Sequence, residues 1–196
     1  GTGLLYATYL GGFRTDVPYS LVVDDNDNLV VFGSTGSANF PITPSAYDIS
    51  FNGGIGVQPV SGIIFAVGSD LFVSKLSSDG STLMGSTYIG GSNNDGILYD
   101  GENLTKNYGD QLRGDVTVDD LGNIYVAANT RSTNFPVSIG AAQTTHGGNV
   151  TDGCVFKFSS DLTSLTWSTY LGGTGEDAAY SIQVDSLYNV FVSGGT

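Results

Sequence analysis

Basic residues are scarce: six Lys and Arg stand against 19 Asp and Glu, a formal net charge of −13 at pH 7. Nucleic acid and anionic membrane surfaces are held by basic patches, and this chain has little from which to build one. No nucleic-acid partner is expected. The excess of carboxylate is compatible with cation binding, and it also keeps a surface-exposed protein soluble. There is one cysteine, Cys154, so no intrachain disulfide can form. Its place in an apolar, alternating stretch reads as a small buried hydrophobe, not a reactive thiol. The lone His146 offers neither a Ser-His-Asp triad nor zinc-ligand spacing. No apolar run reaches the ~18 residues of a membrane span, so no membrane insertion is expected. No stretch sustains helical periodicity, and no phosphate-cradling Gly-Lys-Ser pattern is present.

What is abundant is glycine, with 29 residues, and aromatics at 11%, while charged residues make up only 13%. That balance suits a turn-rich β protein. Ser168-Thr169-Tyr170-Leu171-Gly172-Gly173 occurs three times, as Ser86-Thr87-Tyr88-Ile89-Gly90-Gly91 and as Ala7-Thr8-Tyr9-Leu10-Gly11-Gly12. Before the last copy, Leu165, Trp167 and Thr169 alternate with Thr166, Ser168 and Tyr170, the period of a strand that the Gly pair ends.

Other motifs recur in step. Val23-Asp24, Val118-Asp119 and Val184-Asp185 are each followed by Asn28, Asn123 and Asn189, then by an apolar run. Asn39-Phe40-Pro41 returns as Asn134-Phe135-Pro136, and Phe72-Val73-Ser74-Lys75 as Cys154-Val155-Phe156-Lys157. In this alignment His146 falls on Phe51, which suggests packing. Each unit therefore has four strands. The first full unit is expected at 17–24, 29–34, 71–77 and 83–89, and the second at 112–119, 124–129, 154–159 and 165–171. Residues 4–10 read as the fourth strand of a preceding unit, and 180–185 with 190–193 as the first half of a following one. Four-stranded antiparallel units with Gly-rich turns predict an all-β fold, a segment of a β-propeller with the first strand of each blade innermost. Residues 1–196 form part of one such domain, with blade boundaries near 1–12, 17–91, 112–173 and 179–196. Eleven strands fall short of the about sixteen that a four-bladed ring needs.

The Ser-Thr-Tyr-Leu-Gly-Gly strand, the Val-Asp-x-x-x-Asn hairpin, the Asn-Phe-Pro loop and the Val-Phe-Lys-Phe strand together resemble the SBBP repeat, a seven-bladed β-propeller repeat. The resemblance covers nearly the whole chain outside two insertions. It implies a propeller in a large exported or cell-surface bacterial protein, with extracellular location, and it implies no catalytic residues. The remaining blades and domains of that longer chain are then the first expected partners.

Spacing locates the insertions. Val118 and Val184 lie 66 residues apart, but Val23 and Val118 lie 95 apart. Of the 29 extra residues, 13 fall between Pro41 and Lys75 and 16 between Gly91 and Val118. Both connections leave the same end of an antiparallel blade, so the two insertions should be neighbours. The first, about 55–69, offers Ile64 and Phe65 beside Ile63 and Val67. The second, about 92–111, offers Asp95, Asp100, Glu102 and Asp110 around Tyr99 and Tyr108. Long loops on a rigid scaffold are where binding concentrates. Ile64, Phe65, Asp95, Tyr99, Asp100 and Glu102 are accordingly the candidate residues for a protein or glycan ligand, with calcium as the cation that such carboxylates would suit. The alternative is that the loops cover a blade edge.

Other chemistry fails on inspection. The acidic turn Asp24-Asp25-Asn26-Asp27-Asn28 has Leu29 where a calcium loop needs Gly and Thr35 where it needs an acid, and reads as a hairpin turn. Ser159-Ser160-Asp161-Leu162-Thr163-Ser164-Leu165-Thr166-Trp167 approaches a sialidase Asp-box but lacks its Gly and places Trp167 one residue late. Sequons at Asn103 and Asn149 fall in loops. The leading functional reading is a non-catalytic surface module for adhesion, binding or spacing. The alternative is the propeller portion of a carbohydrate-active enzyme with catalytic residues elsewhere.

Overall fold

The computed structural model describes residues 3–99, 101–108, 111–148 and 150–196. Two four-stranded antiparallel sheets follow one another, and a two-stranded sheet comes third. In the first, β1 (Asp16–Val23), β2 (Leu29–Thr35), β5 (Asp70–Leu76) and β6 (Leu83–Ile89) pair in that order. In the second, β7 (Asp115–Val118), β8 (Ile124–Thr130), β9 (Asp152–Phe158) and β10 (Leu165–Leu171) do the same. β11 (Ala178–Val184) pairs with β12 (Val190–Gly195). The fold is all-β, built of propeller-like blades, as the repeat predicted. β1 lies beside β7, and β7 beside β11, so the first strands of successive blades adjoin at the inner edge. There Asp115 accepts hydrogen bonds from Ser20 Oγ (2.8 Å) and Ser181 Oγ (3.2 Å), the equivalent positions of the flanking blades.

The core lies between blades. Val30, Phe32, Leu71, Val73 and Ile89 of the first face Val126, Cys154, Phe156 and Phe158 of the second. Alternation sends Tyr125, Ala127 and Val155 to the opposite side, against Ala179 and Ile182 of the third. Cys154 is fully buried in this interface. Burying each large apolar side chain stabilises by about 1.5–3 kcal/mol.

The recurring polar residues are the fasteners of the repeat. Asp24 Oδ1 accepts from the Asn26 and Asn28 amides (2.9 Å each), and its carboxylate pairs with Lys75 Nζ at 2.8 Å. Asp119, Asn123 and Lys157 repeat this arrangement, with the ion pair at 3.3 Å. Burial works to raise the Asp24 pKa, but the bonds from Lys75 and Asn28 prevail and hold it at about 2. The residue before each Asn has positive φ (Asp27 60°, Gly122 76°, Tyr188 64°), as a tight hairpin turn requires. Asp161 Oδ1 closes its own turn by accepting from Ser159 Oγ at 2.6 Å and the Thr163 amide at 3.2 Å. Asp79 does the same with Ser77 and Ser81, so this is turn chemistry.

The tyrosine of each Tyr-Leu-Gly-Gly strand reaches the Asn-Phe-Pro loop. Tyr88 Oη donates to the Ser37 carbonyl at 2.7 Å and accepts from the Phe40 amide at 3.1 Å. Tyr170 does so with Ser132 and Phe135. Phe51 packs against Tyr88 and His146 against Tyr170, with ring centroids 6.0 and 5.6 Å apart, the packing role that the alignment suggested. The Gly-Gly pair is required by close approach: a Cβ on Gly91 would lie 2.4 Å from Ser132 Cβ.

Three expectations are corrected. Residues 4–10 do not form a strand, because no described strand runs beside them and extended chain becomes a strand only through ladder bonds. They lie over the outer face of the first blade, Tyr6 against Gly80 and Leu10 against the cluster of Val31, Phe40 and Phe72. β7 starts at Asp115 instead of 112, because Leu112 bridges to Ile97 within the insertion. The insertions also carry secondary structure that periodicity did not announce. They contain a hairpin of β3 (Val57–Val60) and β4 (Ile63–Phe65) and a six-residue helix, α1 (Asn103–Tyr108).

Candidate binding face

The two insertions meet, as their topology required. Asn94, at the base of the second, donates from Nδ2 to the Ile55 carbonyl (2.9 Å), and its Oδ1 accepts from the Ser69 amide (3.1 Å). Asp95 N donates to the Ser69 carbonyl at 3.0 Å. The same Asn94 Nδ2 donates to Tyr99 Oη at 2.6 Å.

The candidate residues separate sharply by exposure. Ile64 is 53% exposed on the hairpin, while Phe65 beside it is fully buried. Strand alternation accounts for this: Phe65 turns inward against Gly36, where a Cβ would lie 3.2 Å from the ring. Ile55, Val60 and Val67 are also exposed, while Val57 and Ile63 are half-buried and Pro59, like Phe65, is buried. Residues 49–69 contain no charged side chain.

Asp95 is buried completely. Its carboxylate accepts from the Gly91 amide (2.8 Å), from Thr130 Oγ1 and from Ser132 Oγ (3.2 Å). Asp16 repeats the pattern with Gly12 (2.7 Å), Thr35 (2.5 Å) and Ser37 (3.2 Å), and Asp177 binds the Gly173 amide at 2.7 Å. Asp95 therefore belongs to the repeat, and the added chain follows it. The signal was present as Gly-Gly-x-x-x-Asp in all three copies. Across Gly90, Asp95 faces Asp70, whose carboxylate accepts from the Asn52 (2.7 Å) and Gly53 (2.9 Å) amides. Burial drives the Asp70 pKa up to about 7 and the Asp95 pKa well above the ordinary carboxylate value.

Tyr99 and Glu102 are brought together by Arg131, which sequence reasoning passed over. The Arg131 guanidinium lies 3.9 Å from the centre of the Tyr99 ring and pairs with Glu102 Oε1. Glu102 Oε2 accepts from the Tyr99 amide at 3.0 Å. Arg131 is one of only six cations in the chain and directly follows the Thr130 that binds Asp95, which was the available clue. The turn then leads into α1, whose first amides, Asn103 (2.6 Å) and Leu104 (3.2 Å), donate to Glu176 Oε2. Leu98 and Leu104 pack on Ala178 and Tyr180 of β11. At the other end, Tyr19 of β1 donates to the Gly96 carbonyl at 2.9 Å. The second insertion thus crosses from the first blade to the third. Asp100 and Asp110 lie outside the described residues. Among the described residues no cluster of three or more His, Cys, Asp or Glu could hold a metal ion.

Successive antiparallel four-stranded blades, joined along their inner strands and fastened by residues that recur in each unit, define a β-propeller repeat protein. Residues 114–136, which carry the Val118-Asp119 turn, Asn123 and Asn134-Phe135-Pro136, match the model of the SBBP beta-propeller repeat. That stretch is similar to the SBBP repeat. No curated protein matches the chain.

Proposed function

We propose that this chain is a non-catalytic, extracellular or cell-surface β-propeller module of a larger exported bacterial protein, serving adhesion, binding or spacing. Its binding element is the β3–β4 hairpin. The observation that carries this reading is the uncharged stretch 49–69, which holds Ile55, Val60, Ile64 and Val67 in solvent on a chain of net charge −13. Apolar side chains rimmed by polar surface mark contact sites, and a protein ligand suits them better than a sugar. Calcium is no part of the proposal, because Asp95 and Glu102 already bond protein donors. The test uses the whole protein in its bacterial host. Protease applied to intact cells should remove the module. Ile64→Asp with Val67→Asp should abolish attachment to immobilised host matrix proteins without lowering the melting temperature. Hydrolysis of glycosides by the purified module, or attachment indifferent to both substitutions, would overturn the reading.

A further inference from the structure

The first two blades carry the same buried carboxyl but surround it differently. Asp70 opens β5 and Asp152 opens β9, opposite Thr35 and Thr130, and both are fully buried. Each takes amides from the loop that leads into its strand. Asn52 and Gly53 donate to Asp70, one to each oxygen, at 2.7 and 2.9 Å. Gly147, the counterpart of Asn52, donates to Asp152 Oδ2 at 2.7 Å, and Gln143 Nε2 reaches the same oxygen at 3.2 Å. Asp152 Oδ1 is buried and accepts no hydrogen bond among the described residues.

Beside that oxygen stands His146, the single histidine of the chain. Its side chain is buried, with Nδ1 3.7 Å from Asp152 Oδ1. Nδ1 also lies 2.9 Å from the Gly148 carbonyl oxygen, and Nε2 3.4 Å from that of Thr130. Oxygens that only accept therefore face both ring nitrogens. A neutral imidazole has one N–H and one lone pair, so it turns a lone pair toward one of them; only the imidazolium donates to both. In the first blade the ring at this place is Phe51, which carries no proton, and Asp48 stands where Gln143 does. There the carboxyl itself takes up the proton, as pH falls through about 7 at Asp70.

The other ionisable groups around the pair supply no cation to Asp152. Tyr170 stands edge-on to the imidazole at 5.6 Å, and burial pushes its pKa up to about 12. Burial likewise raises the thiol of Cys154, two residues along β9. Asp177 faces Asp152 across Gly172, and Asp95 accepts from Thr130 Oγ1. Arg131 is engaged by Glu102 and Thr151.

We infer that His146 and Asp152 form a proton-operated latch that holds the loop 141–148 on the second blade. This loop is the counterpart of the connection that carries β3 and β4 in the first. With the ring charged, one cation joins the Asp152 carboxylate, the Gly148 carbonyl of the loop and the Thr130 carbonyl of β8. Loss of the ring proton sets a lone pair against an oxygen and leaves the buried carboxylate without a counter-charge, which is costly. The latch therefore closes as pH falls and opens as pH rises.

The test is amide exchange across pH, corrected for intrinsic rates, on the whole chain. Gly147 and Gly172 report the loop, since their amides bond Asp152 and Gln143. Their protection should fall at least about tenfold between about pH 5.5 and about pH 8, the scale of one charge-assisted hydrogen bond. In mildly acid solution the imidazole should show hydrogens on both ring nitrogens. His146→Phe copies the first blade, and His146→Gln keeps a donor that does not titrate; each should abolish the response. Asp70→Asn, which removes the first blade's own titration, should leave it in place. A response that persists in either His146 variant or vanishes in Asp70→Asn would overturn the inference. So would a fully protected loop over a ring that carries one hydrogen.

Discussion

The two insertions leave the same end of the propeller and touch through Asn94, yet they use their residues in opposite ways. The first holds Ile55, Val60, Ile64 and Val67 in solvent and buries Pro59 and Phe65, with the Phe65 ring as its anchor. The second turns its polar and aromatic residues inward: Glu102 and Tyr99 close on Arg131, and its helix is capped by Glu176 of a neighbouring connection. Loop length alone therefore does not identify a ligand site. What separates the two is whether a partner side chain stands within reach, and for the second insertion Arg131, Tyr19 and Glu176 all do.

The sharpest way to break the comparison is to remove the anchor. Phe65→Ala should cost about 3–5 kcal/mol and loosen the hairpin, read as a lower melting temperature and faster exchange in 57–65. An unchanged melting temperature would make the first insertion as dispensable as its exposure suggests.

Next in size is the effect of pH on the shared base. Burial raises the Asp70 pKa in the folded chain to about 7 from the ordinary carboxylate value of 3.8. The folded state therefore binds the proton more tightly than the unfolded state between those values. The stability from protonated Asp70 is present in full below 3.8 and is lost as pH rises through about 7. Asp24, with its pKa lowered to about 2, acts in the other direction, and its contribution disappears as pH falls from 3.8 through 2. Melting temperature should therefore peak in mildly acid solution, and Asp70→Asn should flatten its decline toward neutrality. A decline equally steep in Asp70→Asn would place the titrating group elsewhere.

A smaller effect is expected at the clasp. Arg131→Ala removes an ion pair, a ring contact and the bond to Thr151, and should destabilise by about 1–3 kcal/mol. Most of the lost protection should fall on 97–105, with the hairpin unaffected. The smallest is Ile64→Asp on the exposed side of the hairpin, within about 0.5 kcal/mol of the parent by chemical denaturation. Paired with Phe65→Ala, it contrasts an outward and an inward side chain at adjacent positions.

Much of the fold was legible from residues 83–89 and 165–171 alone, where alternation placed β6 and β10 to the residue. The roles of Asp24, Asp119 and Asp185 were equally local, since each bonds to amides two and four residues ahead in its own turn. The candidate site was legible only in its location. That the insertions adjoin follows from strand parity, but the burial of Phe65 and the pairing of Glu102 depend on what stands opposite. Asp95 was readable as a repeat residue from its Gly-Gly-x-x-x-Asp setting, although its acidic character drew it into the wrong group.

By itself, then, the sequence determined the repeat, the strand period and the turns, because each rests on contacts within a few residues, repeated in every unit. Only the tertiary structure decided that residues 4–10 are not a strand, that Arg131 closes the second insertion, and that Ile64 faces water while Phe65 does not. In each case the deciding partner is distant in the chain or absent from the described neighbourhood: a neighbouring strand for 4–10, Glu102 for Arg131 and Gly36 for Phe65. Alternation can tell two faces apart, but only packing says which of them is covered.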